Sequence, residues 1–168
     1  MGDRCYIDIT MRRADLPRFA PFIDEQAGDE WWDDEDEHAG HPDLVTVRVY
    51  EANYAWGDER QAAAVDGIPF FGSHGEGGEY GPYAFASLDG EQLEVQVNHD
   101  GYMVVSVDDN LQMLDDIEHL RAYVAKVRAV KKLFGIGEGG PNGRSDEEDA
   151  RPDQPQGDPA VPAGVRGA

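Results

Sequence analysis

The residues of this chain best suited to chemistry are His74, Glu76 and Glu79, which follow one another as His-x-Glu-x-x-Glu. An imidazole and two carboxylates are donors that zinc, manganese and iron accept, and His99 could add a further nitrogen. The spacing matches no established metal motif. The three residues therefore define a candidate metal site, and no organic cofactor is expected.

These residues lie in a glycine-rich stretch, residues 69–82, which reads PFFGSHGEGGEYGP. It contains neither the P-loop pattern nor a G-x-G-x-x-G turn, and its two glutamates would repel phosphate. We interpret it as an ordered loop whose glycines turn beside packed aromatic residues. Together with Tyr54 and Trp56 it supports one interpretation of the function, a small acidic domain with a ligand or metal site in residues 54–83.

Nucleophilic catalysis finds little support. Cys5 falls on the inward side of a predicted strand, where a small core residue is expected. Ser73 precedes His74, but no G-x-S-x-G elbow surrounds it. Carboxylates are so frequent that a glycosidase-type pair cannot be inferred from their presence. We therefore assign no catalytic residue, and the sequence favours a non-enzymatic protein over an enzyme.

Hydrophobic periodicity predicts the elements that must position these residues. Alternation of apolar and polar residues predicts strands, and an Asp89-Gly90 turn joins two of them into a hairpin. Steps of three and four predict a long last helix that Gly135 and Gly137 stop, and Asp15 and Asp58 are expected to cap two short helices. The predicted strands are Arg4–Arg12, 44–51, 83–88, 91–97 and 102–107, and the long helix is 110–134. The order β-α-β-α-β-β-β-α predicts an α+β fold, a largely antiparallel sheet of about five strands packed against a long C-terminal helix.

The composition indicates one domain, residues 1–137, followed by an acidic tail rich in proline and glycine, residues 138–168, which we expect to be disordered. The single cysteine allows no internal disulfide. No signal peptide and no run of 18 apolar residues is apparent, so we expect a cytoplasmic protein without membrane contact.

The charge pattern is the strongest feature of the sequence. The formal net charge is −21, and residues 19–120 hold 25 acids against only Arg48 and Arg60. Within them lies an acidic loop, residues 24–43, in which ten of twenty residues are acidic and two adjacent tryptophans occur. Aromatic residues anchor interfaces, so this loop and the hairpin acids are candidate contacts to a partner. The candidate partner-binding residues are Trp31, Trp32, Asp33, Asp34, Glu35, Asp36, Glu37, Asp89, Glu91 and Glu94.

The density of this charge is comparable with that of DNA. The excess of 23 negative charges in residues 19–120 matches roughly 40 Å of duplex, since duplex carries one charge per about 1.7 Å. A folded body of this size is also about 35 to 40 Å long. In charge and size the chain resembles the acidic nucleic-acid mimics that phages and plasmids use against restriction or CRISPR machinery. That resemblance implies a non-enzymatic inhibitor of a basic nucleic-acid-binding protein, with no direct binding to nucleic acid.

A different origin explains the same composition. Proteins of salt-loving microbes are acidic throughout and avoid lysine, and this chain has 3 lysines against 11 arginines. In that interpretation the carboxylates hold a hydration shell and identify no partner.

Overall fold

The computed structural model describes residues 4–22, 40–78, 80–105 and 110–137. The strands are β1 (Arg4–Arg12), β2 (Leu44–Asn53), β3 (Phe70–His74), β4 (Tyr83–Leu88) and β5 (Glu91–Gln96). The helices are α1 (Leu16–Phe19), α2 (Gly57–Val65) and α3 (Asn110–Leu133). The sheet has the order β2-β1-β3-β4-β5, and every neighbouring pair is antiparallel. The predicted α+β class, with a five-stranded antiparallel sheet and a C-terminal helix packed on it, is confirmed.

The strand register divides the side chains of the sheet into two faces. On the face toward α2, one cross-strand row contains Val47, Ile9, Gly72, Phe85 and Glu94. Alternate residues of a strand point to the same side of the sheet. The apolar residues of β1 and β2 therefore gather on this face and form the main core. Its fully buried members include Ile7, Ile9, Met11, Val47, Phe19, Trp56, Ile68, Phe70 and Phe85.

The opposite face carries α3. Tyr123 of α3 is buried with Ala86 and Val95, and burial raises the pKa of its hydroxyl to about 12. The helix ends at Leu133, one residue before the predicted end, and Gly135, with a φ of 74°, stops it as predicted. The N–H groups of Gly135 and Ile136 donate to the carbonyls of Lys132 and Lys131, which closes the last turn.

One predicted strand is wrong and one strand was missed. The glycine-rich stretch predicted as a loop supplies β3, which lies between β1 and β4. Residues 102–105 form no strand and make only the bridge between Val97 and Met103. The Asn98 side chain explains this, since its Oδ1 accepts from the N–H groups of Asp100 and Tyr102 and turns the chain away.

Two other expectations about helix starts are corrected. Asp15 precedes α1 but makes no capping bond; its carboxylate accepts instead from Arg12 Nε at 2.8 Å. Asp58 lies inside α2, which begins at Gly57.

Several predictions fall outside the described residues. Most of the acidic loop, residues 24–39, and the predicted tail, residues 138–168, belong to them. Among the residues that are described, no helix combines the length and the apolar character needed to cross a membrane.

Gly72 should be the residue of β3 least tolerant of a side chain. A Cβ at this position would lie 2.0 Å from the Asp8 carbonyl oxygen and 3.0 Å from the Phe85 ring. Gly72→Ala should therefore lower the free energy of unfolding by about 1–3 kcal/mol, the usual cost of overpacking. Urea unfolding curves would measure this.

Gly75 provides the matched control for that substitution. A Cβ there meets nothing closer than the Tyr6 carbonyl oxygen at 3.8 Å. Gly75→Ala should leave the unfolding midpoint almost unchanged. Equal effects of the two substitutions would contradict the proposed close contact at Gly72.

Candidate functional site

A left-handed backbone turn lies at the centre of the candidate site. Tyr54, Ala55 and Trp56 have φ values of 47°, 51° and 52°. The left-handed helical conformation costs roughly 1–2 kcal/mol for each residue that carries a Cβ. Trp56 compensates part of this cost because its side chain is fully buried in the main core. The turn also sets the start of α2, for which Trp56 is the N-cap residue.

Arg60, on the first turns of α2, is a buried cation. It is only 2% exposed, and its Nε donates to the Ala55 carbonyl at 3.0 Å. Its guanidinium lies 4.0 Å from the centre of the Phe85 ring, a cation–π contact. Nη2 lies 3.5 Å from the Glu94 carboxylate. Burial lowers the pKa of Arg60, and Glu94 opposes that shift.

One nitrogen of Arg60 remains without a hydrogen bond. Within the described part of the chain, Nη1 is buried and has no acceptor. A buried donor without a partner costs about 1–3 kcal/mol, because it has lost its water. The site therefore contains a buried, positively charged side chain with one donor that has no acceptor.

His74, at the end of β3, is a neutral base. Its Nδ1 donates to the Gly75 carbonyl at 2.8 Å, and its ring stacks on that of Tyr83 at 5.7 Å. Burial lowers the pKa of His74, and Arg60 lowers it further against the opposing effects of Gly75 and Glu94. Because Nδ1 holds the proton, Nε2 is left as an acceptor.

An open cleft of about 570 Å³ joins these groups. The left-handed turn, α2, the β3–β4 region, β5 and α3 all contribute to its lining. The lining residues include Tyr54, Arg60, His74, Tyr80, Tyr83, Gln92, Glu94 and His119. Gln92 Oε1 is a second buried polar atom that lacks a partner among the described residues.

The structure brings only part of the predicted metal site together. His74 lines the cleft, whereas the Glu76 carboxylate lies 3.8 Å from the ring of His99. Glu79 lies outside the described residues, among which no group of three or more metal-binding side chains gathers. The metal site remains a prediction.

The predicted partner-binding residues of the hairpin have different surroundings. Asp89 is exposed at the β4–β5 turn with a φ of 56°. Glu91 is bound by Lys126 at 2.7 Å, and this bond lowers the pKa of Glu91. Glu94 lines the cleft beside Arg60. The tryptophans and acids of residues 31–37 lie outside the described residues.

Sequence reasoning missed Arg60, Gln92 and His119. Arg60 did carry a signal, because it is the only lysine or arginine between Arg48 and Arg121. A lone cation among so many acids is a candidate for burial. Gln92 and His119 have no such signal, since only the folded chain places them at the cleft.

The acids of the described residues are unevenly distributed. Residues 54–78 and 80–105 hold eight acids and one arginine, whereas residues 4–22 and 40–53 hold four acids and five arginines. Helix α3 carries all of its acids in its first half, whereas its lysines and arginines begin at Arg121 and continue through its second half. The acidic half adjoins β5, where His119 Nε2 donates to the Glu94 carbonyl at 2.7 Å. The border formed by α2, β5 and the first half of α3 is called the acidic border below.

Comparison with protein families, curated proteins and solved structures found no match to this chain. The Ser73 hydroxyl donates to Asp8 at 3.1 Å on the face opposite His74, because neighbouring residues of a strand point to opposite sides. Ser73 and His74 therefore do not form a nucleophile–base pair.

Replacing Ala55 with glycine should stabilise the protein. Glycine adopts the left-handed conformation without the steric cost that the Ala55 Cβ incurs. Ala55→Gly should therefore raise the free energy of unfolding by about 1 kcal/mol. The comparison is Ala52→Gly, at an equally buried position of β2 with ordinary backbone angles. Ala52→Gly should lower the free energy of unfolding by about 0.5–1 kcal/mol. Thermal unfolding of both variants tests the expected opposite signs.

The pKa of His74 should lie below the ordinary value of about 6.5. The folded protein then disfavours the imidazolium, so this contribution to stability is complete above about pH 6.5 and is lost as the pH falls. Glu94→Gln should lower the pKa further, because the Glu94 charge raises it. Glu91→Gln, on the same strand, should leave it unchanged. NMR titration of the ring, assigned with His74→Gln, measures the His74 pKa in the unmodified chain and in both variants. A His74 pKa at the ordinary value would refute the buried neutral base.

Proposed function

We propose that this chain is a non-enzymatic interaction protein whose acidic border occupies the basic groove of a nucleic-acid-binding protein, in the manner of DNA or RNA mimics. The observation that supports the proposal most directly is the uneven distribution of charge among the described residues. Together with α3, which packs on β4 and β5, the segments that form α2 and β3–β5 hold eleven acids against six lysines and arginines, whereas four acids accompany five arginines around β1 and β2.

The relevant charges are those that no internal cation neutralises. Within the described residues, six acids of this region make no ion pair, namely Asp58, Glu59, Asp89, Asp100, Asp115 and Glu118. Their field extends over roughly 8–10 Å at moderate salt and attracts a basic surface. Glu91 and Glu94 contribute less, because Lys126 and Arg60 already lie beside them.

The acidic loop belongs to the proposed interface by its sequence. Trp31 and Trp32 would supply the buried aromatic anchors that charge alone does not provide. Carboxylates would replace the phosphates of nucleic acid, and association would release the counterions of the partner's basic groove.

The proposal predicts displacement of DNA. With restriction and CRISPR effector complexes as the panel, the chain should release a fluorescent duplex from at least one of them. Its affinity should fall at least tenfold between about 50 and about 200 mM salt, as for a charge-driven contact. Asp115→Asn with Glu118→Gln should weaken binding on the order of tenfold.

A charge-matched pair beside β2, the edge strand opposite β5, controls for net charge. Asp43→Asn with Glu51→Gln removes the same two charges near β2 and should change the affinity little. Equal losses of affinity for both pairs would show that overall charge, and not the acidic border, determines binding. Absence of displacement at low salt, together with unfolding when potassium chloride is removed, would instead favour a hydration shell of the halophilic type.

A further inference from the structure

The cleft beside Arg60 contains two buried polar atoms that complement each other. Arg60 Nη1 is a donor without an acceptor, and Gln92 Oε1 is an acceptor without a donor, within the described residues. Both side chains approach the same oxygen of Glu94, each at 3.5 Å. The two side chains therefore meet at the Glu94 carboxylate, and this part of the cleft lining is called its floor below.

The orientation of the Gln92 amide follows from its neighbour. If the amide were flipped, its oxygen would face the Glu94 carboxylate, and two acceptors would repel each other. The nitrogen therefore faces Glu94, and Oε1 is the atom left without a donor. His74 Nε2 adds another acceptor to the same cleft, because Nδ1 holds the ring proton.

The charges around the floor select against ions. The guanidinium of Arg60 would repel a cation at this depth. An anion would have to enter the field of a chain with a net charge of −21 and would meet Glu94. An uncharged ligand avoids both costs, provided that it offers one acceptor and one donor.

The walls of the cleft are built from rings. Tyr54, Tyr80 and Tyr83 line it with His74, and the His74 ring stacks on that of Tyr83. Flat aromatic faces favour flat ligands, and the volume of about 570 Å³ lies in the usual range for small-molecule sites, about 300–1,000 Å³.

We propose that this cleft binds an uncharged heteroaromatic lactam of nucleobase size, whose carbonyl accepts from Arg60 Nη1 and whose ring N–H donates to Gln92 Oε1. The adjacent C=O and N–H of a lactam provide both groups on one edge. The ligand reaches the floor when the Glu94 carboxylate, half-exposed and held by two long contacts, rotates outward. The cleft opens within the acidic border, since residues of α2, β5 and α3 line it, but binding of a lactam by the free chain does not depend on the docking proposed for that border.

The test is titration of the full chain with uracil and hypoxanthine, followed by NMR of the Arg60 and Gln92 side chains and by calorimetry. We expect saturable binding in the micromolar to millimolar range, with shifts at both side chains. 1,3-Dimethyluracil has the same carbonyls but no N–H, so it should bind at least tenfold more weakly.

Variants on β5 supply the second readout. Gln92→Leu removes the acceptor at a half-buried position and should weaken uracil binding at least tenfold. Gln96→Leu, on the same face of β5 but outside this cleft, should leave it unchanged. The proposal is overturned if uracil and hypoxanthine show no saturable binding, if 1,3-dimethyluracil binds equally well, or if benzoate or guanidinium binds more tightly than either. None of these results bears on the displacement of DNA from a partner, because that experiment contains no lactam.

Discussion

The burial of one guanidinium is the constraint on which this part of the structure depends. A cation removed from water must be compensated, and Arg60 has the Ala55 carbonyl, the Phe85 ring and the distant carboxylate of Glu94 for this purpose. Each of these partners imposes a condition of its own. The carbonyl requires the left-handed turn, and the Phe85 ring requires the bare backbone of Gly72 beside it. The strain of the turn and the missing Cβ at Gly72 are therefore parts of one arrangement.

The elements that the sequence predicts are those in which local pattern and tertiary environment agree. β1 alternates because one of its faces is buried, and α3 has helical periodicity because one side packs on the sheet. The Asp89-Gly90 hairpin follows from the preference of these residues for positive φ. β3 was missed because its central Gly72 is a poor strand residue, and its place is decided by pairing with β1 and β4.

The candidate site is less predictable for the same reason. None of Tyr54, Ala55 and Trp56 is a glycine, so their residue types do not predict a left-handed turn there. His74 and the region around Tyr54 could be named from residue chemistry, but Gln92 and His119 join them only through strand register and the crossing of α3. The run of acids was visible in the sequence. Which of them remain uncompensated depends on long-range pairs such as Glu91 with Lys126.

The outer edge of β5 has a consequence for self-association. An edge strand normally offers a row of free backbone groups onto which another chain can add a strand. Here the carbonyls of Glu94 and Gln96 on this edge already accept from the His119 ring and the Val104 N–H. Carboxylates flank the same row, so an identical molecule approaching edge to edge would meet both occupied acceptors and like charge. At high protein concentration this side of the sheet therefore resists growth into fibrils.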